Sequence, residues 1–130
     1  MSSFIQSNTQ QGSIVRIANA DLTGKEGYLA KLVNANGEAK IALAGNGELA
    51  QFVILEGGAS GEEVVVQPLS SDRNVRIVNL FAIDGGAEVA SDTTGKASTA
   101  ASGDWVVGIA EQDGAAGDYL LIRPVTYKKA

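Results

Sequence analysis

Two stretches of this chain are versions of one another, and that constrains the fold more than any other feature. Gly58–Leu69 (GASGEEVVVQPL) aligns without a gap with Gly114–Val125 (GAAGDYLLIRPV), 56 residues further on. Gly58, Ala59, Gly61 and Pro68 recur as Gly114, Ala115, Gly117 and Pro124, and Glu62 is answered by Asp118. The same offset pairs Gly47-Glu48 with Gly103-Asp104, and Val53 with Ile109. Upstream, Val15-Arg16-Ile17-Ala18-Asn19 matches Val75-Arg76-Ile77-Val78-Asn79 at an offset of 60, and Gly37 matches Gly95 at 58. The matches keep their order, and the offset falls along the chain. That is the pattern of a duplicated unit with small length changes in its connections. Two units of about 55 residues are too few for a solenoid, so they are expected to pack against each other in one pseudo-symmetric domain.

Each unit reads as β. Short runs rich in branched apolar residues, at Ile14–Ile17, Tyr28–Val33, Ala50–Leu55 and 63–69, return as Val75–Val78, Glu88–Ala90, Trp105–Glu111 and Tyr119–Val125. Between them lie turn formers such as Asn34-Ala35-Asn36-Gly37, Asp84-Gly85-Gly86 and Asp113 to Gly117. Pro68 and Pro124 stand near the ends of their runs, where a missing N–H costs a strand least. No stretch carries a helical period over a dozen residues. The expected fold is all-β, a small barrel or sandwich of roughly eight to ten short strands built from two tandem quasi-repeats. The division reads as an extended N-terminal arm over 1–13, one β repeat over 14–70, a second over 71–126 and a tail over 127–130. The arm is polar apart from Phe4 and Ile5.

The residue inventory narrows the chemistry. There is no Cys and no His, which removes disulfides, thiolate metal sites and the commonest general base. The net charge of −5, with Lys128-Lys129 as the one basic pair, gives no footprint for phosphate, so no nucleic-acid partner is expected. No apolar run is long enough to span a membrane, and Met1–Gln11 lacks the pattern of a signal peptide, so synthesis in a host cytoplasm is expected. Gly45-Asn46-Gly47-Glu48-Leu49-Ala50 fits a loose dinucleotide pattern, but a β-like run follows it where a helix N-terminus is needed. Glu26 stands where a phosphate loop requires Ser or Thr after Gly24-Lys25. Asn34-Ala35-Asn36-Gly37-Glu38 lacks the leading Asp and distant Glu of a calcium loop. The acid pairs Glu62-Glu63 and Glu111/Asp113 sit beside turns, where carboxylates are ordinarily just solvated. The reading is a non-enzymatic protein with no cofactor and no metal. Trp105, paired with Leu49 across the repeat, reads as core, and Tyr28, Phe81 and Tyr119 as core or subunit interface; with aromatics at 5%, no sugar-stacking platform is indicated.

The run Gly103-Asp104-Trp105-Val106-Val107-Gly108-Ile109-Ala110, followed by the Ala115-Ala116-Gly117-Asp118 turn and the apolar Tyr119–Ile122, resembles the ending of small phage capsid decoration (cement) proteins of the DUF2190-like type. Gly95-Lys96-Ala97-Ser98-Thr99-Ala100 is similar to a preceding segment of that family. The likeness covers residues 86–125 well and 27–69 loosely. The resemblance implies a structural virion protein on the outer capsid surface that bridges neighbouring capsomers, with the major capsid protein as partner and self-association as a homotrimer. Within that reading, the expected capsid or subunit contacts are Phe4, Ile5 and Gln6 of the arm and Tyr127, Lys128 and Lys129 of the tail, chosen because they lie outside the repeat. Two other classes stay open: a β-rich carrier domain, though neither Lys40 nor Lys96 sits in a carrier's recognition context, and a carbohydrate- or cell-surface-binding module.

Overall fold

The computed structural model of the protein describes residues 13–71 and 73–130. These residues are all-β. The chain forms β1 (Ile14–Ile17), β2 (Leu29–Ala35), β3 (Glu38–Leu43), β4 (Phe52–Glu56) and β5 (Glu63–Pro68), then β6 (Val75–Val78), β7 (Glu88–Ser91), β8 (Ala97–Thr99), β9 (Trp105–Ala110) and β10 (Tyr119–Lys128). They make two five-stranded antiparallel sheets, ordered β1-β5-β4-β2-β3 and β6-β10-β9-β7-β8, so the second sheet reproduces the strand order of the first. Each sheet curls until its ends meet. Ala18, just past β1, bridges Ile41 of β3, and Asn79, just past β6, bridges Ala97 of β8. Curling in this way closes off edges that a flat sheet would leave open.

Period-2 alternation explains which faces are buried. In β5, Val64 and Val66 are buried while Glu63 is exposed; in β10, Leu120 and Ile122 are buried while Tyr119 is exposed. The first half has its own core of Ala30, Ile41, Phe52, Ile54, Val64 and Val66, closed at one end by Ala18 and Leu22. A second, larger cluster joins the halves. Leu29, Ala44, Ala50 and Val53, from the opposite face of the first sheet, pack with Ile77, Val89, Leu120 and Ile122 of the second half. A third, smaller cluster of Ala90, Ala100 and Val106, with Val125 against it, lies in the second half, so the apolar content is divided between the interior of each half and the joint between them.

The junction is also hydrogen-bonded through main chain. The Leu29 N–H donates to Gly95 O (2.7 Å), Val78 N–H to Gly27 O (3.0 Å), Gly47 N–H to Ser91 O (2.9 Å) and Trp105 N–H to Gly47 O (2.9 Å). Lys96 of the second half lies 5.8 Å from the ring centre of Tyr28, with Lys25 on the same ring at 5.0 Å. Gly27 is one point of close approach. Its φ is +85°, and a Cβ there would stand 2.7 Å from Tyr119 Cε1 and 3.0 Å from Val78 Cγ2, so only glycine lets the halves meet at this distance.

The ladders fix the correspondence between halves and adjust the sequence alignment. Val53 opposite Gln67 and Ile109 opposite Arg123 keep the offset of 56. At the start of each half, however, Ile14 faces Val66 while Val75 faces Ile122, an offset of 61 rather than the 60 suggested by the shared Val-Arg-Ile. One residue matters here, because a one-residue slip turns every side chain to the other face. Arg76 thus corresponds to Val15, not to Arg16. The first half of the stretch read as a tail, Tyr127 and Lys128, is also sheet. β10 continues past a register shift between Pro124 and Tyr127 and pairs Tyr127 with Val106 and Lys128 with Trp105.

Candidate interaction surface

No group of three or more acidic side chains among the described residues is arranged to hold a metal ion. The features that stand out are instead a groove, an apolar loop and a pinned C-terminal strand.

The groove lies where the halves meet and encloses about 360 Å³. Leu55 of β4 and Gln67 of β5 form one wall; Arg76 of β6 with Tyr119 and Leu121 of β10 form the other, and Glu26 stands at the rim. Strand alternation places these side chains. Tyr119 faces Val78 and Leu121 faces Arg76 across the β6–β10 ladder, so all four project from the face opposite the core residues Leu120 and Ile77. Tyr119 remains 51% exposed and Leu55 44% exposed, which makes the groove an apolar surface open to solvent. Glu26 is held by the Gly57 N–H at 2.9 Å. Arg76 has no ion pair among the described residues.

The apolar loop follows β6. Phe81 is 66% exposed, the most exposed of the large apolar side chains among the described residues, so it belongs to the surface and not to the core. The loop backbone is firmly held: Leu80 N–H donates to Ala97 O (3.0 Å) and Ile83 N–H to Gly114 O (2.9 Å). Beneath it Asn79 is buried, donating its amide to Ala115 O at 3.3 Å, while its side-chain oxygen has no partner among the described residues.

The residues expected from sequence to make contacts fall into two groups. Phe4, Ile5 and Gln6 lie outside the described residues. Tyr127 and Lys128 are exposed strand residues, and Lys129 follows directly. Tyr127 and Lys129 are committed to this same chain. The Tyr127 hydroxyl donates to Glu88, and Lys129 pairs with Glu88 at 2.9 Å. The Tyr127 bond, then that of Lys129, holds the Glu88 carboxyl below its ordinary range, and the same Glu88 bond pushes the Tyr127 hydroxyl up. Glu88, opposite Ile109, occupies the position of the second half that corresponds to Leu29, opposite Val53, in the first. Sequence reasoning singled out Phe81 and Tyr119 as core or interface, but not Leu55, Arg76 or Leu121. No local motif marks them, because the groove exists only once the halves are docked.

No family model matches the chain, so none supports the DUF2190-like resemblance, and no curated protein matches it. Among solved structures, the fold is shared with the N base of the head fiber protein gp8.5 of bacteriophage phi29. The two are 16% identical, with a TM-score of 0.75 over 91% of this chain and 97% of that one.

Proposed function

We propose that this chain is a structural virion protein of a phage, bound to the outer surface of the capsid and stabilising it by bridging neighbouring capsomers. One observation carries the reading: nearly the whole of this chain shares its fold with the N base of a phage head fiber protein. The physical character of the surface supports it. Cement proteins act through buried contact area rather than a reactive centre, and this molecule carries an open apolar groove and an exposed Phe81. Repetition over many equivalent shell positions turns a modest affinity per site into firm attachment. The bridging geometry, the major capsid protein as partner and association as a homotrimer belong to this proposal, as does a contribution of Phe4, Ile5 and Gln6 to shell contact.

Co-sedimentation tests it. The purified chain, and a variant lacking residues 2–12, are mixed with expanded shells stripped of accessory proteins. Saturable pelleting of the full chain, weakened by the deletion, is expected. Pelleting no greater than that of an unrelated acidic protein on matched shells overturns the reading.

A further inference from the structure

The two halves serve as controls for one another. The loop after β1 and the loop after β6 are held by the same hydrogen bonds. Asn19 and Leu80 N–H donate to Ile41 and Ala97 O, and Leu22 and Ile83 N–H donate to Gly58 and Gly114 O. Asn19, Ala20 and Asp21 therefore occupy the places of Leu80, Phe81 and Ala82. All three residues of the first loop are exposed, and it keeps its conformation with a polar tip. The backbone thus does not require Leu80 and Phe81 in the second. A large aromatic ring held 66% in water by a rigid loop, at a position where the sister loop has alanine, calls for a partner outside the chain's own core.

We propose that the Leu80–Ala82 loop is a docking knob for a second copy of this chain, Phe81 entering the groove between the halves of its neighbour. The inference deepens the self-association named above and rests on that reading. Size fits: a cavity of about 150 Å³ accommodates a benzene ring, and the groove offers about 360 Å³, room for the Phe81 ring with part of Leu80. Charge fits as well. Asp84 lies three residues beyond Phe81, while Glu26 at the groove rim accepts the Gly57 N–H of its own chain at 2.9 Å. Asp84 has no ion pair among the described residues, and neither does Arg76 on the groove wall. Chemistry on the groove wall fits too, since Tyr119, Leu55 and Leu121 offer the aromatic and aliphatic lining that an inserted aromatic anchor uses. Because knob and groove are different surfaces, copies join either reciprocally, with two knob-in-groove contacts about a two-fold axis, or head to tail until rotation closes a ring.

The internal repeat supplies substitutions already compatible with the fold. Phe81→Ala installs the residue of the sister loop, and Leu55→Glu installs the residue found 56 positions on, Glu111. Light scattering after size exclusion reads the mass of the full-length chain and of each variant, with circular dichroism confirming that each is folded. The wild-type chain is expected at a multiple of 13.3 kDa, and each variant alone at a single chain. An equal mixture of the two variants is expected to form mixed dimers, because Phe81→Ala keeps a groove and Leu55→Glu keeps a knob. A wild-type mass of one chain at every concentration overturns the proposal, as does self-association of Phe81→Ala equal to wild type. So does a mixture that stays monomeric. If Phe81→Ala loses shell binding while the wild-type protein is monomeric, the knob meets the shell protein and not a second copy. Shell binding is read separately by sedimentation, so failure of one reading does not imply failure of the other.

Discussion

Leu29→Ala probes the joint between the halves. Leu29 has no exposed surface and packs with Ile77, Val89, Leu120 and Ile122 of the other half, while its own strand neighbour Ala30 faces the first half's interior. Truncation removes three buried carbons, about 2.4 kcal/mol at roughly 0.8 kcal/mol each, and the unfilled space adds about another 1–2 kcal/mol. For a domain of this size, each kcal/mol moves the melting temperature by roughly 3–5 °C. The expected drop is therefore on the order of 10–20 °C. Because Leu29 belongs to a cluster built from both halves, the whole molecule should melt earlier in one transition. Ile41→Ala, in the first half's own core, serves as a comparison of similar size. Calorimetry with far-ultraviolet circular dichroism reads both variants. A drop in melting temperature below about 3 °C, or two separated transitions of which only one moves, would refute the joint core.

Other consequences follow from single contacts. A Cβ on Gly57 would stand 2.0 Å from the Leu22 carbonyl oxygen, a backbone atom that cannot step aside. Gly57→Ala should cost about 3 kcal/mol by chemical denaturation. Gly61→Ala, at φ +85° with open space around it, should cost only about 1–2 kcal/mol; equal costs would contradict the close packing at Gly57. Glu88 is depressed in the folded state by Tyr127 and then Lys129. Its contribution is thus present above the ordinary glutamate value of 4.5 and is lost as pH falls through the depressed folded value. Glu88→Gln should flatten the acid limb of stability below pH 4.5, and Tyr127→Phe should flatten it in part; an unchanged limb in both variants would show that the cluster does not form in solution.

The fold was legible where side-chain alternation is strong. Ile14–Ile17 and Val75–Val78 coincide with β1 and β6, because both are short blocks of branched residues. β3 and β8 do not stand out in the sequence. Glu38-Ala39-Lys40 and Ala97-Ser98-Thr99 have weak strand character, and hairpin pairing with β2 and β7 forms them. The offset of 60 was drawn by the recurring Val-Arg-Ile, whereas cross-strand pairing with β5 and β10 sets 61. Glu88, Tyr127 and Lys129 are far apart in sequence and come together only because β10 runs on beside β9. The groove is illegible for the same reason: its walls belong to different halves, and nothing in either copy alone marks Arg76 or Leu121 as lining it.

Alternation thus determines which residues each half buries, docking of the halves creates the groove, and the sister loops expose Phe81 as an addition the fold does not need. All three bear on the claim that the molecule works through surface contact on a phage shell. Cryo-electron microscopy of expanded capsids saturated with the purified chain should show ordered density of this two-sheet shape at repeated positions on the outer surface, each copy touching two capsomers. Bare shells at saturating protein, with the chain recovered unbound, would contradict that claim.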